Sequence, residues 1–170
     1  MLKLVPLSVN YKLLLEDMMN DWTATGETIV PSSIARVDYH NFKEYMHALQ
    51  QEQQGLPGRV PATTLFALDV ERNIFVGAVN IRHELNDYLL SFGGHIGDGV
   101  RPTERRKGYA TEMIALALEE CRSMGIDKVL MTCDKDNIGS AKSIRNNGGV
   151  LENEVNQNGE LVQRYWIDLQ

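Results

Sequence analysis

Arg105-Arg106-Lys107-Gly108-Tyr109-Ala110 places three cations and a glycine where a strand hands over to a helix. Such a junction can hold phosphate. The first amide hydrogens of a helix have no internal partner, and the aligned peptide dipoles add about half a positive charge there, which stabilises an anion. Gly108 lets the backbone approach a diphosphate and can take a dihedral that a Cβ penalises. Arg105 can add a charge-assisted bond. The plainer alternative is a solvated, basic helix start. Two better-known phosphate loops do not fit: no G-x-x-x-x-G-K-[ST] occurs, and Gly97-Asp98-Gly99 meets Pro102 where a dinucleotide loop needs its third glycine.

Proton transfer needs a group that titrates near neutrality within reach of the reacting atom. His95 is the preferred general base, because it lies in a central strand shortly before the glycines and titrates in the physiological range. The alternative is a packed histidine with one ring nitrogen satisfied by backbone. His83 and Glu84, at the end of the preceding strand, are rivals. Glu84 or Asp98 could instead hold a cationic amine, and Glu27 and Asp38 add acidity near the expected mouth. Asn137, at a second strand-to-helix junction, caps that helix or offers its amide to a ligand. The four histidines include no i, i+4 pair, and Cys121 and Cys133 suit neither a metal pair nor a disulfide framework. No metal is expected, and both thiols read as buried in a reducing cytoplasm.

The elements that must position these groups follow from pattern. Leu2 to Val5 reads as an edge strand, and Tyr11 to Trp22 as a helix with Leu14, Leu15, Met18 and Met19 on one face. Residues 23 to 40 read as a loop, with Asn41 capping a helix to about Gln54. Thr63 to Asp69 and Phe75 to Glu84 read as strands, and Leu89 to Val100 as a glycine-loosened strand closed by Pro102. Strong helix formers run from Ala110 to Cys121. A strand ends near Cys133, and a helix follows Asn137. Val150 to Val155 and Leu161 to Leu169 form a hairpin across Asn158-Gly159. This is an α/β (α+β) arrangement: a mixed sheet with helices on both faces.

Arg105 to Ala110 matches the pattern R/Q-x-x-G-x-G/A, with Val100-Arg101-Pro102 upstream. Asn137 begins N-x-x-[AS], with a glycine eleven residues on. Together the two segments resemble the GNAT superfamily of acyl-CoA-dependent N-acyltransferases. The segments around Gly93 to Gly97, Arg105 to Ala110 and Asp134 to Asn137 are similar to bacterial predicted acetyltransferases. Detailed likeness runs from about residue 64 to 169, the first sixty residues matching only in layout. The resemblance implies a mostly antiparallel sheet of six to seven strands, with a bulged, splayed strand before the loop. It also implies that Val100, Arg105, Arg106, Lys107, Gly108, Tyr109, Ala110, Thr111, Asn137 and Ser140 contact acetyl-CoA or CoA. A main-chain amide near Gly97, Gly99 and Val100 would meet the thioester oxygen. Ile144 departs from the pattern: the family often has Tyr there to protonate the departing thiolate. Tyr109 is a distant substitute.

The expected activity is acetyl transfer from acetyl-CoA directly to a primary amine of a small molecule or protein, with His95 or Glu84 as catalytic groups. No nucleophile for an acyl-enzyme is visible. Because of Ile144, the alternative is a weakly catalytic acyl-CoA-binding module. A loop protein for another nucleotide is a third reading. Composition agrees with one domain over residues 1 to 170, at 43% hydrophobic and 24% charged. A net charge of -6 argues against nucleic acid, whereas Arg101, Arg105, Arg106 and Lys107 supply four of the 17 basic residues locally. That balance suits a small polyanion. No apolar run spans a membrane and Met1 to Val5 is no signal peptide, so a cytoplasmic monomer or homodimer is expected.

Overall fold

A computed structural model describes all 170 residues. Seven strands form two antiparallel sheets. The first, in the order β1-β2-β3-β4, comprises Leu2–Val5, Ala62–Asp69, Ile74–Arg82 and Ile96–Val100; the second, in the order β5-β7-β6, comprises Lys128–Asp134, Glu160–Asp168 and Val150–Gln157. Four α-helices complete the fold: α1 (Lys12–Thr25), α2 (Phe42–Gln54), α3 (Tyr109–Ser123) and α4 (Ile138–Asn146).

Each helix buries a stripe of side chains. In α1 these are Leu15, Met18, Met19 and Trp22, the three-and-four spacing of one helical face. Gly26 ends the helix in a left-handed conformation. With Phe66, Phe75 and Ala78 of the sheet these residues form one apolar cluster, in which the two phenylalanine rings stack with centroids 5.0 Å apart. On the opposite side Met113, Ile114, Ala117 and Cys121 of α3 pack with Ala141 and Ile144 of α4 against Val79, Ile81, Val129 and Met131. With both faces covered, β3 is buried along almost its whole length.

The number of strands is as expected, and their division falls between β4 and β5. No ladder joins these two strands. They touch where the His95 amide donates to the Leu130 carbonyl at 2.7 Å and the Leu130 amide donates to Nδ1 of the His95 ring at 2.9 Å. A side chain therefore stands where a sheet would offer a carbonyl, and the strands part beyond it. This is the splay implied by the resemblance. The bulge is absent from β4, which pairs with β3 in unbroken register from Ile81↔Ile96 to Gly77↔Val100. Gly99 has another cause: a Cβ there would lie 2.0 Å from the Val30 carbonyl oxygen.

Residues 89 to 95 also depart from the strand reading. Leu89–Gly93 is a π-helical turn, closed by the Gly94 amide donating to the Leu89 carbonyl at 2.7 Å. Asn86 caps it by accepting from the Leu89 amide. The hairpin turn at Asn158-Gly159 is as expected, with φ of 55° and 90°.

The Gly99 contact yields a stability test. Gly99→Ala should cost about 1–3 kcal/mol, because the clash is with backbone rather than with a side chain that can turn away. Gly139→Ala, where the nearest atom lies 4.0 Å from the new Cβ, should change stability by less than about 0.5 kcal/mol. Urea unfolding of the two variants beside the parent checks both.

Candidate active site

A cleft of about 610 Å³ opens between the parted strands and the facing ends of α3 and α4. Its walls include Asp98, Gly99 and Val100 of β4, the stretch Arg105 to Thr111 except Lys107, and Asn137, Ser140 and Ser143 of α4 and its cap. The two sequence motifs therefore meet across one opening. Asn147 fastens the two helix starts, its Nδ2 donating to the Thr111 carbonyl at 3.0 Å and the Ser143 carbonyl at 2.9 Å.

The loop before α3 is built to present amides. Gly108 has φ of 85° and Arg106, without glycine's freedom, has φ of 63°. Successive turns of this kind point N–H groups into a shared concavity. The amides of Arg106 through Thr111 have no intramolecular acceptor; the first helical bond of α3 is from the Glu112 amide to the Gly108 carbonyl at 3.3 Å. Such a run of free amides at a helix start can hold an anion.

Both ends of the loop are tied down by ion pairs. Arg101 is buried and turns inward, donating to Asp17 at 2.8 Å, Asp21 at 2.9 Å and the Phe75 carbonyl at 3.1 Å. Arg72 grips the buried Glu104 with both terminal nitrogens, at 3.0 and 2.9 Å. That bond holds the Glu104 carboxyl at about 2. Lys107 also pairs with Glu104, at 2.8 Å, and lies outside the cleft. Arg105 pairs with Glu27 at 3.0 Å. Of the four cations counted in the sequence, only Arg106 is in no ion pair. The anion-binding capacity thus rests on the amides and Arg106 more than on pooled charge, a correction to the composition argument.

The catalytic expectations change more. His95 is 6% exposed and outside the cleft, and its Nδ1 lone pair is occupied by the Leu130 amide. Burial first, and the Arg82 guanidinium second, push its pKa down to about 4. A ring with its acceptor nitrogen engaged and its proton on Nε2 has no site from which to take another, so the geometry of His95 is that of the packed histidine. Glu84 is exposed in a bend beyond β3 and lines neither large cleft. The Tyr109 hydroxyl is spent, donating to Asp69 at 2.9 Å and accepting from Arg72 at 2.7 Å. Ile144 is wholly buried.

Asp98 is the titratable group the structure brings forward. Its carboxylate lines the cleft and has neither a hydrogen-bond donor nor an ion-pair partner. Burial pushes its pKa up to about 6, against the opposing pull of Arg82. A carboxylate poised there can accept a proton near neutrality. The sequence signal was its position between two glycines, which leaves it flanked by bare backbone.

Asn137 caps α4, its Oδ1 accepting from the Ser140 amide at 3.1 Å, and its side-chain amide nitrogen remains free at the cleft. The two readings of Asn137 are therefore compatible. The Ser143 hydroxyl donates to the Gly139 carbonyl at 3.1 Å. Val30 and Ser143 line the cleft without having been singled out in the sequence. No helix is long and apolar enough to cross a membrane, and no group of three or more His, Cys, Asp or Glu is placed to hold a metal.

Residues 2–150 match the family model described as an acetyltransferase (GNAT) domain. The chain belongs to the GNAT acetyltransferase family. Solved structures share the fold at low identity. RimL, a ribosomal L7/L12 alpha-N-protein acetyltransferase in complex with CoA, is 16% identical with a TM-score of 0.70, over 98% of this chain and 93% of that one. A spermidine N-acetyltransferase from Vibrio cholerae, with CoA and spermine, is 16% identical with a TM-score of 0.65, over 98% and 95%. A microcin C7 self-immunity acetyltransferase, with acetyl-CoA and AMP, is 17% identical with a TM-score of 0.65, over 99% and 92%. No curated protein matches the sequence. The matched range extends the family likeness into the first sixty residues.

The ionisation of Asp98 sets a pH test. Its folded pKa of about 6 lies above the unfolded value of 3.8, so stability is lost as pH rises through that window. Asp98→Asn should therefore be more stable than the parent by about 1–3 kcal/mol at pH 7.5, and the gain should vanish by pH 4. His95 acts with the opposite sign, its depressed value withdrawing stability as pH falls from 6.5 toward 4. Urea unfolding from pH 4 to 8 should accordingly show a steeper acid loss in the variant than in the parent.

Proposed function

We propose that this chain is a single acyl-CoA N-acyltransferase domain that transfers an acetyl group from acetyl-CoA directly to a primary amine. The observation that carries the reading is the run of amides from Arg106 to Thr111 without intramolecular acceptors, facing one cleft with Asn137 and the unpaired Asp98. The amides and Arg106 would hold the pyrophosphate. Asn137 and Ser140 would hold the pantetheine arm, with its thioester beside Asp98, Gly99 and Val100. Bound acetyl-CoA supplies the activated carbonyl.

Asp98 then takes the proton that an ammonium group must lose before it can attack, directly or through water. The neutral amine adds to the thioester carbonyl, the carbon–sulfur bond breaks with CoA leaving as thiolate, and the nitrogen gives up its second proton to water, which protonates the thiolate as CoA-SH. Ile144 offers no proton. The Ser140 hydroxyl lines the cleft beside the Cys133 thiol and would be the side chain that hydrogen-bonds the departing sulfur. The weakly catalytic alternative is favoured by Ile144 and opposed by Asp98, since a desolvated, unpaired carboxylate is costly to keep in a site that only binds.

Two measurements test the reading. Isothermal titration should show micromolar binding of CoA and acetyl-CoA and none of ATP or NAD. Gly108→Asp, which sets a carboxylate against the diphosphate, should weaken CoA at least about tenfold; unchanged affinity means the loop has been misassigned. With an accepted amine, kcat/KM should rise with pH through about 6 in the parent. Asp98→Asn should lower kcat by about 100-fold or more and flatten that profile. An intact profile in the variant would remove Asp98 as the base.

A further inference from the structure

A second cleft, of about 450 Å³, lies on the α2 side of the first sheet, and its charge is opposite to that of the protein as a whole. It is lined by Arg36, Arg59 and Arg82 against the single carboxylate of Glu52, in a chain of net charge -6. Glu52 is already committed. It pairs with Arg36 and accepts from Asn80 Nδ2 at 2.7 Å. That leaves Arg59, which makes no hydrogen bond or ion pair, and Arg82, whose only acceptors are the carbonyls of Gly93 at 3.1 Å and Gly94 at 3.4 Å.

Arg82 is the informative one. Burial is the first cause lowering its pKa, and the neighbouring Arg36 the second. A desolvated guanidinium without a carboxylate partner is unfavourable unless an anion arrives to pair with it. Its planar fork matches a carboxylate or phosphate with two parallel bonds. Across β4 from the first cleft, where Asp98 pairs with Val79 of the α3-side core, Arg82 stands on the α2 face. It lies over Gly97, where a Cβ would come within 3.0 Å of its Nη2, and the next residue is Asp98 in the first cleft.

We propose that this cleft is the far half of the acceptor site and that the acceptor carries an oxyanion, a carboxylate or phosphate, held by Arg82 and Arg59 while its amine reaches Asp98. The inference rests on the transferase reading above and adds the substrate class. It reverses the cationic acceptor expected from acidic residues in the sequence. Glu27 is bound to Arg105, Asp38 to His40, and Glu84 lines neither cleft, so of these four acidic residues only Asp98 serves the site. Asp98 is then the proton acceptor, and the arginines set which amine arrives.

The test follows CoA release by the full chain at saturating acetyl-CoA, with acceptors differing in one charged group. The probes are the twenty amino acids beside their decarboxylated amines, phosphoethanolamine beside ethanolamine, and spermidine. The oxyanion-bearing member should be preferred in kcat/KM by at least about tenfold, and comparison of the carboxylate and phosphate pairs identifies the group. Arg82→Gln should raise KM for that acceptor by about tenfold or more and erase the preference, with the Kd of acetyl-CoA unchanged. Because Arg82 also braces Gly93 and Gly94, the exposed Arg59→Gln provides a second variant, expected to raise KM in the same direction. Equal use of the paired amines, preference for spermidine, or no turnover of any oxyanion-bearing amine by a protein that binds CoA overturns the inference and leaves the transferase reading in place. Failure to bind CoA removes the transferase reading, and this inference with it.

Discussion

The Leu130 amide requires an acceptor, and it receives the imidazole of His95 instead of a strand carbonyl. The cleft between the two sheets opens from that substitution. A carbonyl acceptor would have continued the ladder and joined the two sheets, whereas an aromatic ring of fixed size holds β4 and β5 in register at one point and then lets them diverge. Beyond the ring, the edge of Asp98, Gly99 and Val100 away from β3 faces a cleft rather than a second partner strand. The ring meets this demand only while neutral, because protonated Nδ1 would place two donors face to face. Burial first and Arg82 second depress its pKa, which keeps the ring in the neutral form this contact needs.

The surrounding charge network fixes the loop and leaves its amides free. Arg101 binds the end of β4 to α1 through Asp17 and Asp21, and Arg72 binds Glu104 to the turn after β2, where Asp69 is held at about 2 chiefly by the same arginine. Arg101 and Glu104 are themselves buried, and leaving such a charge unpaired is costly, so these contacts serve position. Here they immobilise the residues on each side of Arg106 and Gly108, the two with positive φ. An anion arriving at the loop would find donors already oriented, and little ordering entropy would remain to be lost.

Much of this was legible. The hexapeptide and Asn137 stood out because a phosphate cradle needs a particular backbone, and backbone requirements show in sequence as glycines and caps. The hairpin at Asn158-Gly159 was readable for the same reason. What stayed hidden was the partner of each polar group. The spacing of His95 is the same whether its ring faces a substrate or the Leu130 amide, and Arg101 counts as a local cation until Asp17 and Asp21, some eighty residues away, are found against it. The π-helical turn at Leu89–Gly93 was hidden by Gly93 and the glycines that follow it, which read as a loosened strand although Asn86 supplied a cap.

Asp98 and Arg82, both without counter-ions, lie on opposite faces of β4 at Gly97. Each feels the other: Arg82 lowers the pKa of Asp98, and Asp98 raises that of Arg82, yet burial outweighs this attraction at both. Had they paired directly, the carboxylate would have dropped far below neutrality and lost its use as a base, and the guanidinium would have been closed to a ligand. Gly97 lets Arg82 pack against bare backbone, and β4 keeps the two charges apart. A zwitterionic acceptor, amine toward Asp98 and oxyanion toward Arg82, would supply each with its missing partner. Under the proposed reading, part of the cost of burying both charges in the free protein is recovered only when substrate spans them, so the same electrostatics that weaken the fold favour the complex.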